Sequence, residues 1–252
     1  MGLFSFFKKK DKKEENGIDL SLIKSDIHAH LLPGIDDGSQ SMEDSIAMIV
    51  RLKELGYEKL LCTPHVMDGY YQNETKDIVE LYEVLRNELR ERNIDIQIDV
   101  AAEYNFDKEF LKRIESDDLL TFGNEDYQYL LFELSYFNEP MGISEVIAKI
   151  KVKGYIPVLA HPERYPYFAE TTSKYKELKD QGVLFQLNIN SLNGLYPGSA
   201  KITANWLIEQ EMINFIASDA HRIQHVNLLE DTFKFTALHN LVNSGQLMNP
   251  YV

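Results

Sequence analysis

The sequence predicts an α/β protein with a mainly parallel sheet, and three observations carry that expectation. Short apolar runs rich in β-branched residues alternate with longer amphipathic stretches along the 252 residues. Seven such βα units follow one another with no low-complexity linker or internal repeat between them. Histidines and carboxylates gather at the C-terminal ends of the predicted strands, the face on which βα-barrels build their sites. A barrel closes a parallel sheet without leaving edges, and a single domain is the simpler account, although an open doubly wound sheet fits the same alternation.

The predicted strands cover residues 22–28, 59–63, 96–103, 129–134, 156–160, 183–188 and 213–218. The first helix opens at Ser41, a capping residue with Asp44 three positions on. Ile46, Ile49, Val50 and Leu52 supply its apolar face, and Gly56 closes it. Similar signals predict helices over 76–92, 143–153, 174–181, 201–211 and 226–244. Residues 1–18 read as a flexible tail ahead of a domain over 19–252. In the tail, Phe4, Phe6 and Phe7 precede the basic run at 8–10, the wrong order for a secretory signal, and the apolar stretch is too short to span a bilayer. Phe6 also stands where a myristoylation motif wants Ser or Thr. The tail is expected to fray, with weak membrane-surface contact or partner docking as its functional reading, and the chain is expected in the cytoplasm.

Lys and Arg number 26 against 40 Asp and Glu, a formal charge of −14 that excludes broad nucleic-acid binding. Divalent cations reverse the potential wherever acidic side chains gather, so an acidic protein can still hold a phosphate at a metal site. Cys62 is the sole cysteine, which rules out an intrachain disulfide and suits a reducing compartment. It sits in Lys-Leu-Leu-Cys-Thr-Pro-His, a buried strand end with no Arg following, and not in the loop of a cysteine-based phosphatase.

Five of the seven histidines fall at or just after a predicted strand end: His28, His30, His65, His161 and His221. Asp37, Glu103, Glu133 and Asp219 share that placement. Imidazole with carboxylate suits zinc, manganese or iron, and nine candidate ligands are too many for one ion, so two or three are expected. Residues two apart on a strand face the same way, which pairs His28 with His30 and Asp219 with His221. Any one of these histidines is as readily a core or surface residue; their joint placement is the signal.

Taken in order, Asp26-Ile-His-Ala-His30, Pro33-Gly-Ile-Asp-Asp-Gly38, Thr63-Pro-His65, Glu103, His161-Pro-Glu-Arg164 and Ser218-Asp-Ala-His221 resemble the PHP (polymerase and histidinol phosphatase) superfamily. Within it the chain looks most like the bacterial protein-tyrosine phosphatases of capsule and exopolysaccharide operons, over residues 22–221. The resemblance implies a distorted (β/α)7 TIM-like barrel that hydrolyses phosphotyrosine on a tyrosine kinase of polysaccharide export. It also implies two or three divalent ions, Mn2+ foremost, with Fe2+, Zn2+, Co2+ or Mg2+ as substitutes. The implied ligands are His28, His30, Asp37, His65, Glu103, His161, Asp219 and His221, with Glu103 bridging. Glu133 matches more loosely, and a structural ion pair is its alternative.

Arg164 becomes the phosphate clamp, because a guanidinium binds two phosphoryl oxygens in a planar fork. Relatives often carry another arginine shortly after the last Asp-x-His, whereas here Arg222 follows His221 at once and His225 comes later. Arg222 is taken as a second substrate contact. The implied chemistry is attack by a metal-bound hydroxide, with His65 or water assisting the leaving phenolate. Asp26 is expected to support the ligands from behind. Tyr70, Tyr71, Tyr136, Tyr165 and Tyr167 lie near strand ends, and Tyr165 is expected to stack on the substrate ring. Three alternatives stay open: a histidinol-phosphate or other small-molecule phosphatase, an amidohydrolase, and a non-catalytic metal-stabilised kinase-docking protein. The amidohydrolase is disfavoured because Glu103 and Glu133 stand where its middle-strand Lys belongs.

Overall fold

The computed structural model describes residues 17–196 and 198–252. Phe4, Phe6, Phe7 and the basic run at 8–10 therefore lie outside the described residues. Ile18 is already docked, its amide donating to the Phe233 carbonyl at 3.0 Å.

A 3-10 turn at Leu20–Leu22 leads into β1 (Ser25–Ala29). There follow α1 (Met42–Leu55), β2 (Lys59–Cys62), β3 (His65–Val66), α2 (Thr75–Glu91), β4 (Gln97–Val100), β5 (Glu103–Asn105), α3 (Lys108–Ser116) and β6 (Phe122–Gly123). The second half comprises β7 (Gln128–Glu133), α4 (Ile143–Val152), β8 (Ile156–Ala160), α5 (Pro166–Glu170), α6 (Ser173–Asp180), β9 (Leu184–Asn188), α7 (Ala200–Glu209), β10 (Phe215–Ala217), α8 (Ile223–Thr232) and α9 (Thr236–Asn243). Helix α1 forms as its sequence signals require: Ser41 Oγ accepts from the Asp44 amide at 3.2 Å, and Gly56 ends it at φ +113°, a conformation that suits glycine.

The strands make two sheets, β1-β2-β4 and β10-β9-β8-β7-β5-β3, parallel throughout except for β6, which pairs antiparallel with β7. Two stretches of chain step from one sheet to the other. Beyond the strand predicted at 59–63, Pro64, which has no amide to continue a ladder, separates β2 from β3; the strand predicted at 96–103 breaks at Ala101 and Ala102 into β4 and β5. Backbone bonds from Ala101 to the Cys62 carbonyl and from Glu103 to the Pro64 carbonyl, both 3.0 Å, carry the pairing across the break.

At the opposite seam, the Asp219 amide donates to His28 O at 2.9 Å and the His30 amide to Ala220 O at 3.0 Å. Buried Asn249 reinforces it, with Oδ1 accepting from the Ile216 amide and Nδ2 donating to Ser25 O. The strands bury both faces. The larger apolar cluster lies against the helices, and a smaller one takes Ile27 and Leu61 from the first sheet with Leu131, Val158 and Phe215 from the second.

Helix α3 has no counterpart among the predicted elements, because Phe110 and Ile114 are its only buried apolar side chains and a single i,i+4 pair makes a faint periodicity. The predicted helix over 226–244 is broken between Thr232 and Thr236, where Ile18 takes the Phe233 carbonyl. Cys62 is fully buried and free, and burial pushes its thiol well above the ordinary range, as a core residue requires. No helix among the described residues is long and apolar enough to cross a membrane.

Asp26 is fully buried and makes no hydrogen bond to the His28 ring. Its Oδ1 accepts from the Ser218 amide at 3.0 Å, pinning β10 to β1 one residue before Asp219. Burial pushes its carboxyl up to about 6, against those hydrogen bonds and His28, which pull it down. The ionised form is therefore penalised in the fold. The penalty builds as pH rises through the unfolded value of 3.8 and is complete only about one unit above the folded value of about 6, where the group is ionised folded and unfolded alike. Asp26→Asn keeps an acceptor for Ser218, so metal-stripped protein should gain on the order of 1–3 kcal/mol over wild type at pH 8 and well under half of that at pH 4. Denaturant melts at the two pH values check this; equal differences at both would refute it.

Candidate metal centre

All nine residues expected to hold metal converge where the strands end. A register shift between Asp26 and Ala29 bends β1 beside β2, and His28 and His30 both turn into the site, with their Nε2 atoms 3.2 Å apart. The same-face argument works for this pair but not for Asp219 and His221. Strand β10 stops at Ala217, and Asp219 takes a left-handed φ of +48° that swings both side chains inward. His161, just past β8, does likewise at φ +34°.

Glu103 occupies the centre. Its Oε2 lies 3.2 Å from His28 Nε2, 3.4 Å from His30 Nε2 and 3.0 Å from His65 Nδ1, and its Oε1 lies 2.9 Å from His161 Nε2. Asp219 Oδ1 closes on the same point, 3.5 Å from His28 Nε2 and 3.4 Å from His30 Nε2. Three overlapping donor groups result: His28, His30 and Glu103; His65, Glu103 and Glu133; and His30, Asp37, His65 and His221. The first two are buried. The third opens outward through Asp37, whose side chain is 54% exposed and whose Oδ1 lies 3.5 Å from both His65 Nε2 and His221 Nε2.

These donors fit divalent cations on internal grounds. His65 Nδ1, Glu103 Oε2, Glu133 Oε1 and Asp219 Oδ1 are buried without a hydrogen-bond partner, a costly condition unless something positive lies between them. Burial disfavours the imidazolium of His28 and His30, yet the surrounding carboxylates outweigh it and raise both, His30 far above its usual range. His65 rises to about 10 for the same reason, and the histidines hold Glu103 well below the carboxylate range despite its burial. The carboxylates recruit positive charge as protons, which metal ions would displace.

A ring of further residues fixes the donors. His28 Nδ1 lies 2.9 Å from Gln186 Oε1, an acceptor, which leaves the Nε2 lone pair facing Glu103. His30 Nδ1 is likewise held at 2.7 Å by Asp36 Oδ2, which also accepts from the His65 amide. Gly38 donates to Asp36 Oδ1, and a Cβ there would stand 2.3 Å from His30 Cβ, so only glycine allows this approach. Asn188 Nδ2 donates to Asp219 Oδ2 at 2.7 Å. None of these supports was among the expected site residues, although Gln186 and Asn188 show as polar breaks at alternate positions of an otherwise apolar strand.

Arg164 reaches the site, with Nη1 donating to Asp219 Oδ2 at 2.9 Å. Arg222 sits at its edge and donates through Nε to His225 Nε2 at 2.9 Å; burial and the adjacent positive groups bring His225 down to about 4, keeping it neutral as the acceptor. Tyr165 does not fit the stacking role expected of it. It is fully buried, its hydroxyl donating to Ala160 O and accepting from the Leu134 amide, so it ties the ends of β7 and β8 and offers no face to a substrate.

Stripped protein titrated with Mn2+ should melt roughly 5–10 °C higher at a hundredfold excess over Kd. Glu103→Gln, which weakens the shared oxygen, should cut that shift by more than half in scanning calorimetry. An undiminished shift would place the ions elsewhere.

Comparison with known proteins places the chain in a family. The chain is 32% identical to the tyrosine-protein phosphatase YwqE of Bacillus subtilis over 202 residues, 80% of this chain and 79% of that protein. It is 27% identical to the tyrosine-protein phosphatase CpsB of Streptococcus pneumoniae over 203 residues, 79% and 83% of the two chains. A crystal structure from work on YwqE and CpsB, described there as unique metal-dependent tyrosine phosphatases, superposes with a TM-score of 0.78 at 30% identity over 90% of each chain. Histidinol phosphate phosphatase from Lactococcus lactis shares the fold at a TM-score of 0.58 and 13% identity, over 89% of this chain and 94% of that one. The family model for capsular polysaccharide synthesis, CpsB/CapC, matches residues 24–228, most of the sequence, and the chain belongs to that family.

Proposed function

We infer that this chain is a metal-dependent protein-tyrosine phosphatase. The observation that carries the reading is the overlap of three donor groups around Glu103, with a guanidinium held on the adjoining Asp219. YwqE and CpsB are named tyrosine-protein phosphatases, which supports the same substrate class. Two or three divalent ions are proposed at His28, His30, Asp37, His65, Glu103, Glu133, His161, Asp219 and His221, with Mn2+ first among them because the family resemblance implies it; the mixed nitrogen and oxygen set accepts several first-row ions. Ions held there would supply Lewis acidity and a nucleophilic water at neutral pH.

The chain's own residues do the rest. Asp219 offers Oδ1 to the donor cluster and Oδ2 to Arg164, so the guanidinium is set beside the cluster with its remaining N–H groups available for two phosphoryl oxygens. Arg222 supplies a second positive group at the edge. Tyr71 lies parallel to His65 at 5.5 Å on the open side and replaces Tyr165 as the surface for the substrate ring. Phenolate leaves readily, so no strong acid is needed, and His65 or water can protonate it.

The remaining proposals follow from this reading. The two sheets are the arcs of a distorted (β/α)7 barrel, supported by the hydrogen bonds at both seams and by the small apolar cluster drawn from both sheets. The domain spans 19–252 and works in the cytoplasm, and its substrate is a tyrosine kinase of polysaccharide export.

Hydrolysis of a phosphotyrosine peptide should vanish on chelation and return with Mn2+, and Arg164→Lys should lose about 10²–10³ in kcat/KM. Activity that survives complete removal of metal, or a higher kcat/KM on histidinol phosphate, would overturn the assignment.

A further inference from the structure

Arg164 lies over two tyrosine rings. Its Cζ lies 4.8 Å from the centre of the Tyr136 ring, in the loop after β7, and 4.1 Å from that of Tyr196, in the segment after β9. Neither tyrosine is a free rim residue. The Tyr136 ring stacks on Tyr165 at 5.6 Å and on His161 at 5.8 Å. The Tyr196 hydroxyl accepts from Asn188 Nδ2 at 2.8 Å, and the same nitrogen donates to Asp219 Oδ2, the oxygen that receives Arg164.

We propose that Tyr136 and Tyr196 are positioning residues that form a slot for the Arg164 guanidinium, fixing its plane so that one edge rests on Asp219 and the other faces the phosphoryl group. This rests on the reading of Arg164 as the phosphate clamp. A long arginine side chain samples many rotamers, and one ion pair at Nη1 leaves the guanidinium free to rotate about that contact. Two ring faces remove that freedom, because the flat cation is attracted to each π-surface only when it lies over it. The slot is selective for arginine, since an ammonium has no plane to hold. It also crosses the fold: the two rings come from loops on either side of the turn at Pro162–Arg164, so the clamp is oriented by three separate strand ends.

The test is a double-mutant cycle on the full chain loaded with manganese, read as inorganic phosphate affinity by calorimetry and as kcat and KM on a phosphotyrosine peptide. Tyr196→Leu removes one face and should weaken phosphate binding by about 3- to 30-fold, with bound manganese unchanged. Tyr196→Phe, which keeps the ring and loses only the hydroxyl, should recover most of that loss. In an Arg164→Ala background, Tyr196→Leu should add less than about twofold, because the ring acts through the arginine. Should Tyr196→Leu fail to fold, Tyr136→Leu closes the same cycle. If Arg164→Ala weakens phosphate binding but the tyrosine losses add to it in full, or are absent, the slot is refuted and the clamp stands. If Arg164→Ala leaves phosphate affinity unchanged, the clamp reading falls and the slot with it.

Discussion

The architecture turns on one electrostatic constraint, the convergence of His28 Nε2 and His30 Nε2 within 3.2–3.5 Å of each other, of Glu103 Oε2 and of Asp219 Oδ1 in a buried interior. Acceptors that face acceptors at such distances repel unless a cation or proton lies between them, and at low dielectric the repulsion is not screened away. A loosely held set of side chains would simply splay apart. Rigidity around the cluster is therefore a requirement of the site.

The scaffold supplies that rigidity by attaching several of the donors a second time. Gln186 and Asp36 hold the far nitrogens of His28 and His30, Asn188 and Arg164 hold the far oxygen of Asp219, and Tyr165 fastens the strand ends that carry Glu133 and His161. The left-handed residues His161 and Asp219 belong to the same design. Non-glycine residues at positive φ cost free energy, of order 1–3 kcal/mol in strained positions, and persist where their surroundings over-determine them. Here both turn a donor inward directly after a strand, which extended backbone would not do.

Strands and most helices were legible because each buries a face whose period can be counted, and the donors were legible because histidine at a strand end is conspicuous in an apolar run. Legibility failed where geometry departs from simple periods. Asp36 and Asp37 are adjacent and chemically alike. Only the fold reveals that Asp36 is buried behind His30 while Asp37 faces solvent. Tyr165 looked like a rim residue from its position after His-Pro-Glu-Arg, but the 3-10 turn at Pro162–Arg164 carries it back beneath the strand ends. Asp26 reads in the sequence only as a supporting residue, and its grip on the Ser218 amide across the seam shows in the fold alone.

A formal charge of −14 also looks ill-suited to a phosphorylated substrate, and the site resolves the conflict locally. Two arginines approach the cluster, and each is tied by a different kind of partner. Arg164 leans on the carboxylate of Asp219, which shares its other oxygen with the donors, so its charge is partly spent inside the protein. Arg222 leans on neutral His225, which costs it no charge at all. The first arrangement favours a fixed geometry and the second an undiminished field. On the proposed reading the former suits the place where bonds change and the latter the place where an anionic segment is first drawn in.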